Sequence, residues 1–389
     1  MSGVIDSVLV ETTPRAMRIA LLAGRDLVEL HVDRAGRGHR EGDVFAARVT
    51  RVVPGLDAAF VDLGDGVAGF LPAREAALAG AARETISRLV HEGERVTVKI
   101  LKEALDDKCP KVSRRVDDAD GTLAAAAARV EPPRLIARRE ALILRLLDRI
   151  GEARLVLDSA AELARLRKRI DPARLTLHQG KTPLFDMAEV DRQIDEALDP
   201  VVPLASGARL VFEPVRTLTA VDVDVAAAAE RSADPLAVNL EAAPVVARHI
   251  RLRNLAGLVV VDFLNMTGDD AGRRLAETLR QAMANDPAEV ALVGPSRFGL
   301  VEMARERRGR PLADDLGSPV ERAADALVRR LSRTATAGAG SLDIRASPAV
   351  VAELCRAADG KDIANWIGRG LDIAAEAARA DGDFVVHAR

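Results

Sequence analysis

Apolar and polar positions alternate along residues 4–33, in VIDSVLVETT, MRIALL and LVELHV. A period of two residues is typical of strands that bury one face, so this stretch predicts a hairpin or meander. Three short β-type runs follow over 42–72, separated by PGL and GDG turns. With a helical segment over 74–90 and a further strand over 95–104, this pattern predicts a small five-stranded β-barrel of the OB type.

The second half of the chain alternates helices and strands. After an Ala-rich, polar stretch over 117–132, which predicts a linker or a connecting helix, the apolar period of 134–150 predicts an amphipathic helix. From about residue 188 the order is helix, strand, strand, helix, strand, with a hairpin over 208–226 and a buried strand over 257–266. The pattern predicts an α/β layer structure, which residues 320–389 repeat on a smaller scale.

Composition limits the classes of protein to consider. The apolar runs are far shorter than the ~20 residues of a membrane helix, and the N-terminus lacks the features of a secretory signal. We therefore expect a soluble cytoplasmic protein without membrane attachment. Cys109, Cys355 and the six histidines have no zinc-ligand spacing, so we expect no structural zinc. The net charge of −3 means that any contact with nucleic acid depends on local basic clusters.

Two aspartates stand near strand ends, after apolar residues. Asp262 ends the run LVVV, and Asp222 lies near the end of TLTAVDVDVA, with Asp224 on the same face of that strand. A helix joins the two strands, so a parallel arrangement would bring their carboxyl ends to one edge. Converging carboxylates without His or Cys suit Mg²⁺, which can activate water against a phosphodiester. Spacing alone leaves open that these are strand-terminal carboxylates satisfied by backbone N–H groups.

Phe60 and Phe70 fall on neighbouring strands of the predicted barrel, beside a basic strip in VTVKILKEALDDKCPKVSRR that includes Lys108. Aromatic residues beside basic residues are typical of single-stranded nucleic acid binding. The alternative is that both Phe side chains belong to the core and that the strip is a solvated face. The chain has only eight Phe, one Trp and no Tyr, so two aromatics at this place favour binding.

These segments resemble the bacterial ribonuclease E/G endoribonucleases. GDVFAARVTRVVPGLDAAFVDLGDGVAGFLPARE is similar to the S1-type RNA-binding domain of that family, and VTVKILKEALDDK is similar to its closing strand. QGKTPLFDMAEVDRQIDEAL, RTLTAVDVDVA, NLEAAPVVARHIRLRNLAGLVVVDFLNM and SRFGLVEMARER resemble the catalytic half in the same order. The resemblance therefore extends from end to end of the chain.

The resemblance implies an α/β multidomain protein whose S1-type OB barrel is inserted in an RNase H-like subdomain. A DNase I-like α/β catalytic subdomain and a small C-terminal α/β domain follow. The expected boundaries are 1–37 with 134–200 for the RNase H-like subdomain, 38–116 for the barrel, 117–133 for a linker replacing the 5′ sensor, 201–312 for the catalytic subdomain and 320–389 for the C-terminal domain.

The resemblance also implies roles for single residues. Asp222 and Asp262 correspond to the aspartates that hold the catalytic magnesium, and Asp224 is a further candidate in that site. The residues that correspond to RNA contacts are Phe60, Phe70 and Lys108. Arg297 in PSRFG is a candidate for positioning phosphate, with a structural salt bridge as the alternative.

Three features depart from the family pattern. Asp224 stands where the family carries an Asn that is thought to orient water or the scissile phosphate. The stretch between Arg115 and Arg134 is too short for the 5′-phosphate sensor, so a preference for 5′-monophosphorylated RNA is not expected. The segment RRGRPLADDLGSPVERAAD lacks the cysteines of the CPxC zinc link, so any homodimer would not be linked by zinc.

The sequence thus predicts a magnesium-dependent endoribonuclease that cleaves single-stranded RNA in RNA processing or decay and leaves 5′-phosphate and 3′-hydroxyl ends. The main alternative is a non-catalytic RNA-binding or regulatory paralogue, which Asp224 would favour. A scaffold without chemistry of its own is a further alternative.

Overall fold

The structure is a computed structural model. It describes residues 4–34, 38–78, 84–104, 108–118, 120–180, 182–225, 234–266, 268–296, 298–336, 341–357, 360–368 and 370–388. The chain forms two compact units. The larger unit consists of Met1–Ala35 and Leu147–Arg389, and the smaller one consists of Gly36–Leu146. The smaller unit is therefore an insertion in the sequence of the larger one.

The larger unit begins with the meander that the alternation predicts. Its strands are β1 (Ser7–Thr12), β2 (Ala16–Ala23) and β3 (Asp26–Arg34). Each strand pairs antiparallel with the next.

The smaller unit is a closed barrel. Its strands are β4 (Val44–Val53), β5 (Ala58–Asp62), β6 (Ala68–Pro72), β7 (Arg95–Lys102) and β8 (Lys111–Ser113). They pair in the order β5-β6-β8-β7-β4, and β5 also pairs with β4, which closes the five-stranded barrel. Within the described residues, the helical segment predicted over 74–90 consists of two single-turn helices, α1 (Ala73–Ala76) and α2 (Ile86–Leu89).

The segment after the barrel differs from the prediction. The stretch over 117–132, for which a linker or a connecting helix was predicted, contains the helix α3 (Thr122–Ala128). The amphipathic helix predicted over 134–150 begins instead as a strand, β9 (Arg134–Ala137). Only its later part is helical, in α4 (Leu142–Arg145) and α5 (Leu147–Ile150). β9 pairs antiparallel with β4, so tertiary hydrogen bonding overrides the local helical pattern. The smaller unit extends to Leu146, whereas the predicted barrel ended at residue 116 and the predicted linker at residue 133.

The chain then completes the first sheet of the larger unit. The added elements are β10 (Arg154–Leu157), α6 (Ala160–Leu166), β11 (Leu175–Leu177), α7 (Leu184–Met187) and α8 (Val190–Leu198). β10 lies parallel to β1, and β11 lies parallel to β10. The resulting strand order is β11-β10-β1-β2-β3.

A second sheet of six strands follows. Its elements are β12 (Val201–Pro203), β13 (Ala208–Pro214), β14 (Leu218–Val225), α9 (Pro235–Leu252), β15 (Gly257–Asp262), α10 (Asp269–Met283), β16 (Val290–Val293) and β17 (Leu300–Arg305). The strand order is β12-β13-β14-β15-β17-β16. Apolar residues of α9 and α10 form one buried core with residues such as Val221 and Val261 of the sheet. Leu258, on the opposite face of β15, is 42 % exposed, so the predicted buried strand is buried on one face only.

The C-terminal part forms a small α/β layer around a three-stranded sheet with the order β19-β18-β20. Its elements are α11 (Leu312–Leu316), α12 (Pro319–Thr336), β18 (Leu342–Ala346), α13 (Pro348–Ala357), α14 (Gly360–Ile367), β19 (Leu371–Ala375) and β20 (Phe384–Ala388). The sequence pattern did not predict α14 or β19. None of the helices that the structure describes is long and apolar enough to cross a membrane.

A buried arginine links the β1–β2 loop to this C-terminal layer within the larger unit. Arg15 is 2 % exposed and donates hydrogen bonds to Asp325 on α12 and to Glu353 on α13. Arg34, at the end of β3, donates to the other carboxylate oxygen of Asp325. Because burial of an unpaired charge is costly, these pairs fix the helices against the first sheet.

Candidate functional site

Asp222 and Asp262 lie side by side in the second sheet. β14 and β15 are parallel, as the connecting helix predicts, and Asp222 is the Cα partner of Asp262. Adjacent strands are about 4.8 Å apart, so one cation can reach both carboxylates. Both aspartates are exposed, whereas Val221 and Val261, which precede them, are buried. The alternation of the strands therefore turns the two carboxylates to the solvent face.

Helix α9 carries the chain from β14 to β15, and its first residues favour helix formation. The Asp234 side chain accepts a hydrogen bond from the Leu236 N–H, and Pro235 occupies the first turn. A capping carboxylate followed by Pro is a strong start signal because neither residue leaves a backbone donor unsatisfied there. The helix packs its apolar side on the sheet and so allows the two strands to lie parallel.

A buried asparagine of α9 fixes the chain just beyond Asp262. Asn239 is fully buried, and its Nδ2 donates to the Leu264 carbonyl at 2.8 Å. In return, the Leu264 N–H donates to Asn239 Oδ1 at 3.0 Å. The two hydrogen bonds hold the backbone that follows β15, and they leave no amide group of this side chain unpaired in the core.

The electrostatic environment of Asp222 favours a cation. Partial burial and the neighbouring negative charges of Asp262 and Asp224 raise the pKa of Asp222 above its ordinary value. Glu213 adds a further negative charge nearby. A divalent cation between the carboxylates would relieve this repulsion, so the donor set fits a hard metal ion.

Asp224 is held differently. It projects to the same face as Asp222, but Arg209 of β13, its Cα partner, donates to its Oδ2 from Nε at 2.9 Å and from Nη2 at 2.5 Å. The side chain of Asp224 is 36 % exposed and that of Arg209 is 57 % exposed. Asp224 is thus a charge-compensated neighbour of the aspartate pair.

The described residues contain no group of three or more His, Cys, Asp or Glu side chains arranged to hold a metal ion. A magnesium ion at Asp222 and Asp262 would then take two protein carboxylates and complete its shell with water and phosphate oxygens. This ligand set is common for magnesium because the ion gives up its water reluctantly.

The turn before β17 lies next to the aspartate pair. Leu300, the first residue of β17, is the Cα partner of Asp262. Ser296 closes the turn by donating its N–H to the Leu300 carbonyl at 2.8 Å. Arg297, the predicted phosphate ligand in this turn, lies outside the described residues.

On the barrel, Phe60 and Phe70 are Cα partners on β5 and β6, and their ring centroids are 5.8 Å apart in an edge-to-face arrangement. Both are only half-buried, and the buried barrel core is formed by other residues. Arg51 of β4 is the Cα partner of Phe60 and places its guanidinium carbon 5.6 Å from the ring centroid. The two aromatic rings are therefore partly accessible and lie beside a cation.

Strand pairing extends this pair into a row across the whole barrel, which we call the cation–aromatic row. Phe70 pairs with Lys111 of β8, and Lys111 pairs with Lys102 of β7. Members of the row, in spatial order, are Arg51, Phe60, Phe70, Lys111 and Lys102. Lys108 is exposed in the segment just before β8, outside the row. Two adjacent aromatic rings flanked by cations suit the bases and phosphates of a single strand.

Sequence reasoning did not single out Arg51, Asn239 or Arg209. The position of Asn239 on the apolar side of α9, between Val238 and Ala242, was the one local signal available. Arg209 and Arg51 acquire their significance from strand register, which pairs them with Asp224 and Phe60.

Comparison with known proteins defines the class. Residues 91–308 match the Ribonuclease E/G family, and residues 38–115 match the S1 RNA binding domain. The chain belongs to the ribonuclease E/G family. This confirms the predicted family and the predicted enzyme class, endoribonuclease. It also confirms the predicted combination of an S1 domain with a ribonuclease E/G domain in a mixed α/β structure.

Individual relatives agree with this assignment. Ribonuclease G of Escherichia coli (strain K12) is 28% identical, over 77% of this chain and 79% of that protein. Ribonuclease G of Haemophilus influenzae (strain Rd) is 26% identical, again over 77% of this chain and 79% of that protein. Ribonuclease E of E. coli (strain K12) is 29% identical over 76% of this chain, but the match covers only 36% of that longer protein.

Proposed function

We propose that this chain is a magnesium-dependent endoribonuclease that hydrolyses single-stranded RNA in the processing or decay of transcripts. The observation that carries the proposal is the pairing of Asp222 with Asp262 on adjacent parallel strands, in a member of a ribonuclease family. Two carboxylates at neighbouring positions of adjacent strands support metal-assisted hydrolysis.

Asp222 and Asp262 would hold the magnesium ion. The bound ion would supply a Lewis acid and a water of lowered pKa. In the reaction, water adds to phosphorus, the bond to the 3′ oxygen breaks, and that oxygen takes up a proton. The products carry a 5′-phosphate and a 3′-hydroxyl.

Asp224 would serve this reaction as an acceptor of a hydrogen bond rather than as a metal ligand. Arg209 donates both of its hydrogen bonds to Oδ2, so Oδ1 can accept one from the attacking water. The guanidinium also offsets the third negative charge near the phosphate. The Arg209–Asp224 pair would then do the work that an uncharged amide does elsewhere in the family.

The barrel would bind the same strand of RNA. Phe60 and Phe70 would stack on bases, while Lys108 and the cations of the cation–aromatic row would contact phosphates. Arg297 stays a proposed phosphate ligand. These contacts involve the backbone and the faces of the bases. They therefore select single-stranded RNA without selecting a particular sequence.

The remaining assignments are proposals of the same kind. The strand order β11-β10-β1-β2-β3 supports an RNase H-like subdomain over 1–35 and 147–200, in place of the predicted 1–37 and 134–200, because residues 36–146 belong to the smaller unit. The second sheet supports a DNase I-like subdomain over 201–312. We propose action in the cytoplasm, and any homodimer would form without a zinc link.

Cleavage of a labelled, AU-rich single-stranded oligonucleotide tests the proposal. The wild type should cut it with Mg²⁺, lose activity in EDTA and regain it when Mg²⁺ is restored. Asp262→Asn should bind the oligonucleotide with unchanged affinity but cut it at least a hundredfold more slowly, because one ligand loses its charge. Mass spectrometry of the fragments should find 5′-phosphate and 3′-hydroxyl ends.

The enzyme proposal would be overturned if the wild type binds the oligonucleotide but fails to cut it whichever divalent cation is added. That result would favour the non-catalytic RNA-binding paralogue. Fragments with 2′,3′-cyclic phosphate ends would instead show attack by the ribose hydroxyl, which contradicts hydrolysis. Asn in place of Asp262 has nearly the same shape, so a loss of folding, checked by circular dichroism, is not expected.

A further inference from the structure

Phe298 is the most exposed large apolar side chain among the described residues, at 85 %. It lies in the turn between β16 and β17, and no other part of the described larger unit covers it. A phenyl ring in water gains stability when a flat apolar partner covers it. Single exposed apolar residues are common, so exposure alone says little. A function for Phe298 is indicated by its position close to Asp222 and Asp262.

The turn is held in place beside that pair. Leu300, two residues after Phe298, is the Cα partner of Asp262. A pair of strand partners and two residues of chain together span at most about 13 Å, so the Phe298 Cα lies within that distance of the Asp262 Cα. A Cβ added to Gly299 would lie 3.8 Å from Asn265 Oδ1, so the turn lies close to the segment that follows β15.

The conformation of the turn is determined by its backbone. Ser296 donates its N–H to the Leu300 carbonyl, and Gly299 donates its N–H to the Ser296 carbonyl at 3.0 Å. The Ser296 hydroxyl accepts a hydrogen bond from the Phe298 N–H at 3.3 Å. Gly299 has φ +84°, a value that side chains disfavour. An aromatic residue is thus presented to solvent on a defined turn, so little entropy is lost when the ring is covered.

We propose that Phe298 stacks on an RNA base near the scissile phosphate and so positions that phosphate at Asp222 and Asp262. This inference rests on the proposed function. The ring lies within the reach of a nucleotide that flanks the bond to be cut, and every base offers a flat face to it. Phe298 is then a positioning residue that acts through the strand it holds, distinct from the aromatic pair of the barrel.

Base stacking can be measured without cleavage. Single-stranded oligonucleotides with 2-aminopurine at successive positions are titrated with the Asp262→Asn protein, since stacking quenches the fluorescence of this base. Phe298→Ala in that background should abolish quenching at one position and leave the others intact. Phe60→Ala should abolish quenching at different positions. Val215→Ala, an exposed residue in the turn at the far end of β14, is the matched control and should change nothing.

Kinetics of the otherwise wild-type enzyme give a second readout. Phe298→Ala should lower kcat/KM for single-stranded RNA about tenfold, and Phe298→Trp should retain it, since any aromatic face can stack. Unchanged quenching and unchanged kcat/KM in Phe298→Ala would overturn the inference. The inference would also be overturned if, without RNA, Phe298→Ala sediments more slowly than the wild type. The ring would then lie in an interface between two copies of the chain.

The two proposals fail separately. If the wild type never cleaves RNA, the proposed function fails, yet a position-specific loss of quenching would still establish the stacking. If the wild type cleaves and the quenching pattern does not depend on Phe298, only the inference fails.

Discussion

Asp224 brings a third negative charge to the end of β14, and Arg209 compensates it from the neighbouring strand. Arg209→Ala would leave that carboxylate unpaired beside Asp222 and Asp262. We expect the variant to bind Mn²⁺ about two- to fivefold more tightly, the range for an exposed ion pair, and to cleave RNA more slowly. Electron paramagnetic resonance of bound Mn²⁺ measures the first effect, and single-turnover cleavage measures the second.

The double variant Arg209→Ala with Asp224→Asn is the control for that experiment. It removes both charges, so metal affinity and cleavage should return towards wild-type values. Effects of the two single substitutions that add up in the double variant would contradict coupling between the residues.

His249 of α9 is a buried residue whose titration affects stability. It lies 5.6 Å from the Phe212 ring and accepts a hydrogen bond from Arg253 at Nδ1. Burial and the charges of Arg253 and Arg248 lower the pKa of His249 from 6.5 to about 3. As the pH falls below 6.5, His249 becomes protonated in the unfolded chain but stays neutral in the folded protein. The free energy of unfolding therefore decreases progressively down to about pH 3.

The variant His249→Gln should lack this contribution. Between pH 6.5 and 4.5, the free energy of unfolding of the wild type should fall by about 2 kcal/mol more than that of the variant. Urea unfolding at several pH values measures the difference in slope, which does not depend on the stability lost by the substitution itself. Parallel slopes would mean that His249 is protonated in the folded state.

Among the larger elements, the barrel presents Arg51 at one end of the cation–aromatic row. In the Asp262→Asn background, Arg51→Ala should weaken oligonucleotide binding about three- to tenfold. The slope of the logarithm of the association constant against the logarithm of the salt concentration should become less steep by about one unit. Arg88→Ala, which removes the same charge from the exposed side of α2 in the same unit, is the control. Equal losses for the two variants would mean that only the net charge of the barrel matters.

The strands were the elements most accessible to prediction. The sequence pattern located β1 to β3 and four of the barrel strands, β4 to β7, but not the short strand β8. The apolar run before Asp262 located β15. Residues 134–137 were predicted wrongly because their helical pattern is local, whereas the partner strand β4 lies far away in sequence. In the C-terminal layer, α14 and β19 were not predicted; β19 acquires its regular structure by pairing with β18.

The candidate site likewise contains residues that could be predicted from the sequence and residues that could not. Asp222 and Asp262 could be predicted as candidates because each is an acidic residue that follows apolar residues near the end of a strand. Arg209 could not be predicted, because its partner depends on the register between β13 and β14. Phe298 could not be predicted either, since the sequence does not indicate whether a phenyl ring is buried or exposed.

At the scale of the larger unit, the contacts of Arg15 and Arg34 with Asp325 connect elements distant in sequence. Asp325→Ala would leave two largely buried guanidinium groups short of a partner and should destabilise the unit by about 3 to 5 kcal/mol. Asp270→Ala, which breaks an exposed pair with Arg273, should cost less than about 1 kcal/mol. Fluorescence of Trp366, the one tryptophan of the chain, reports unfolding of the C-terminal layer in urea.

A stability loss in Asp325→Ala no larger than in Asp270→Ala would contradict this role of the buried pairs. Asp325→Asn keeps the shape of the side chain and should fall between the two, because the amide can still accept one hydrogen bond.

The insertion of the barrel between β3 and α5 also bears on the order in which the chain can fold as it leaves the ribosome. β1 pairs with β10, from Ser7 with Arg154 onward, so one edge of the first meander stays unpaired while residues 36–146 are made. The barrel has all its partners within that stretch and can fold first. An RNA-binding module would then be complete on the nascent chain while the strand of the first aspartate is still to be synthesised. Translational pauses after residue 146 would prolong the life of an exposed sheet edge that is prone to aggregation.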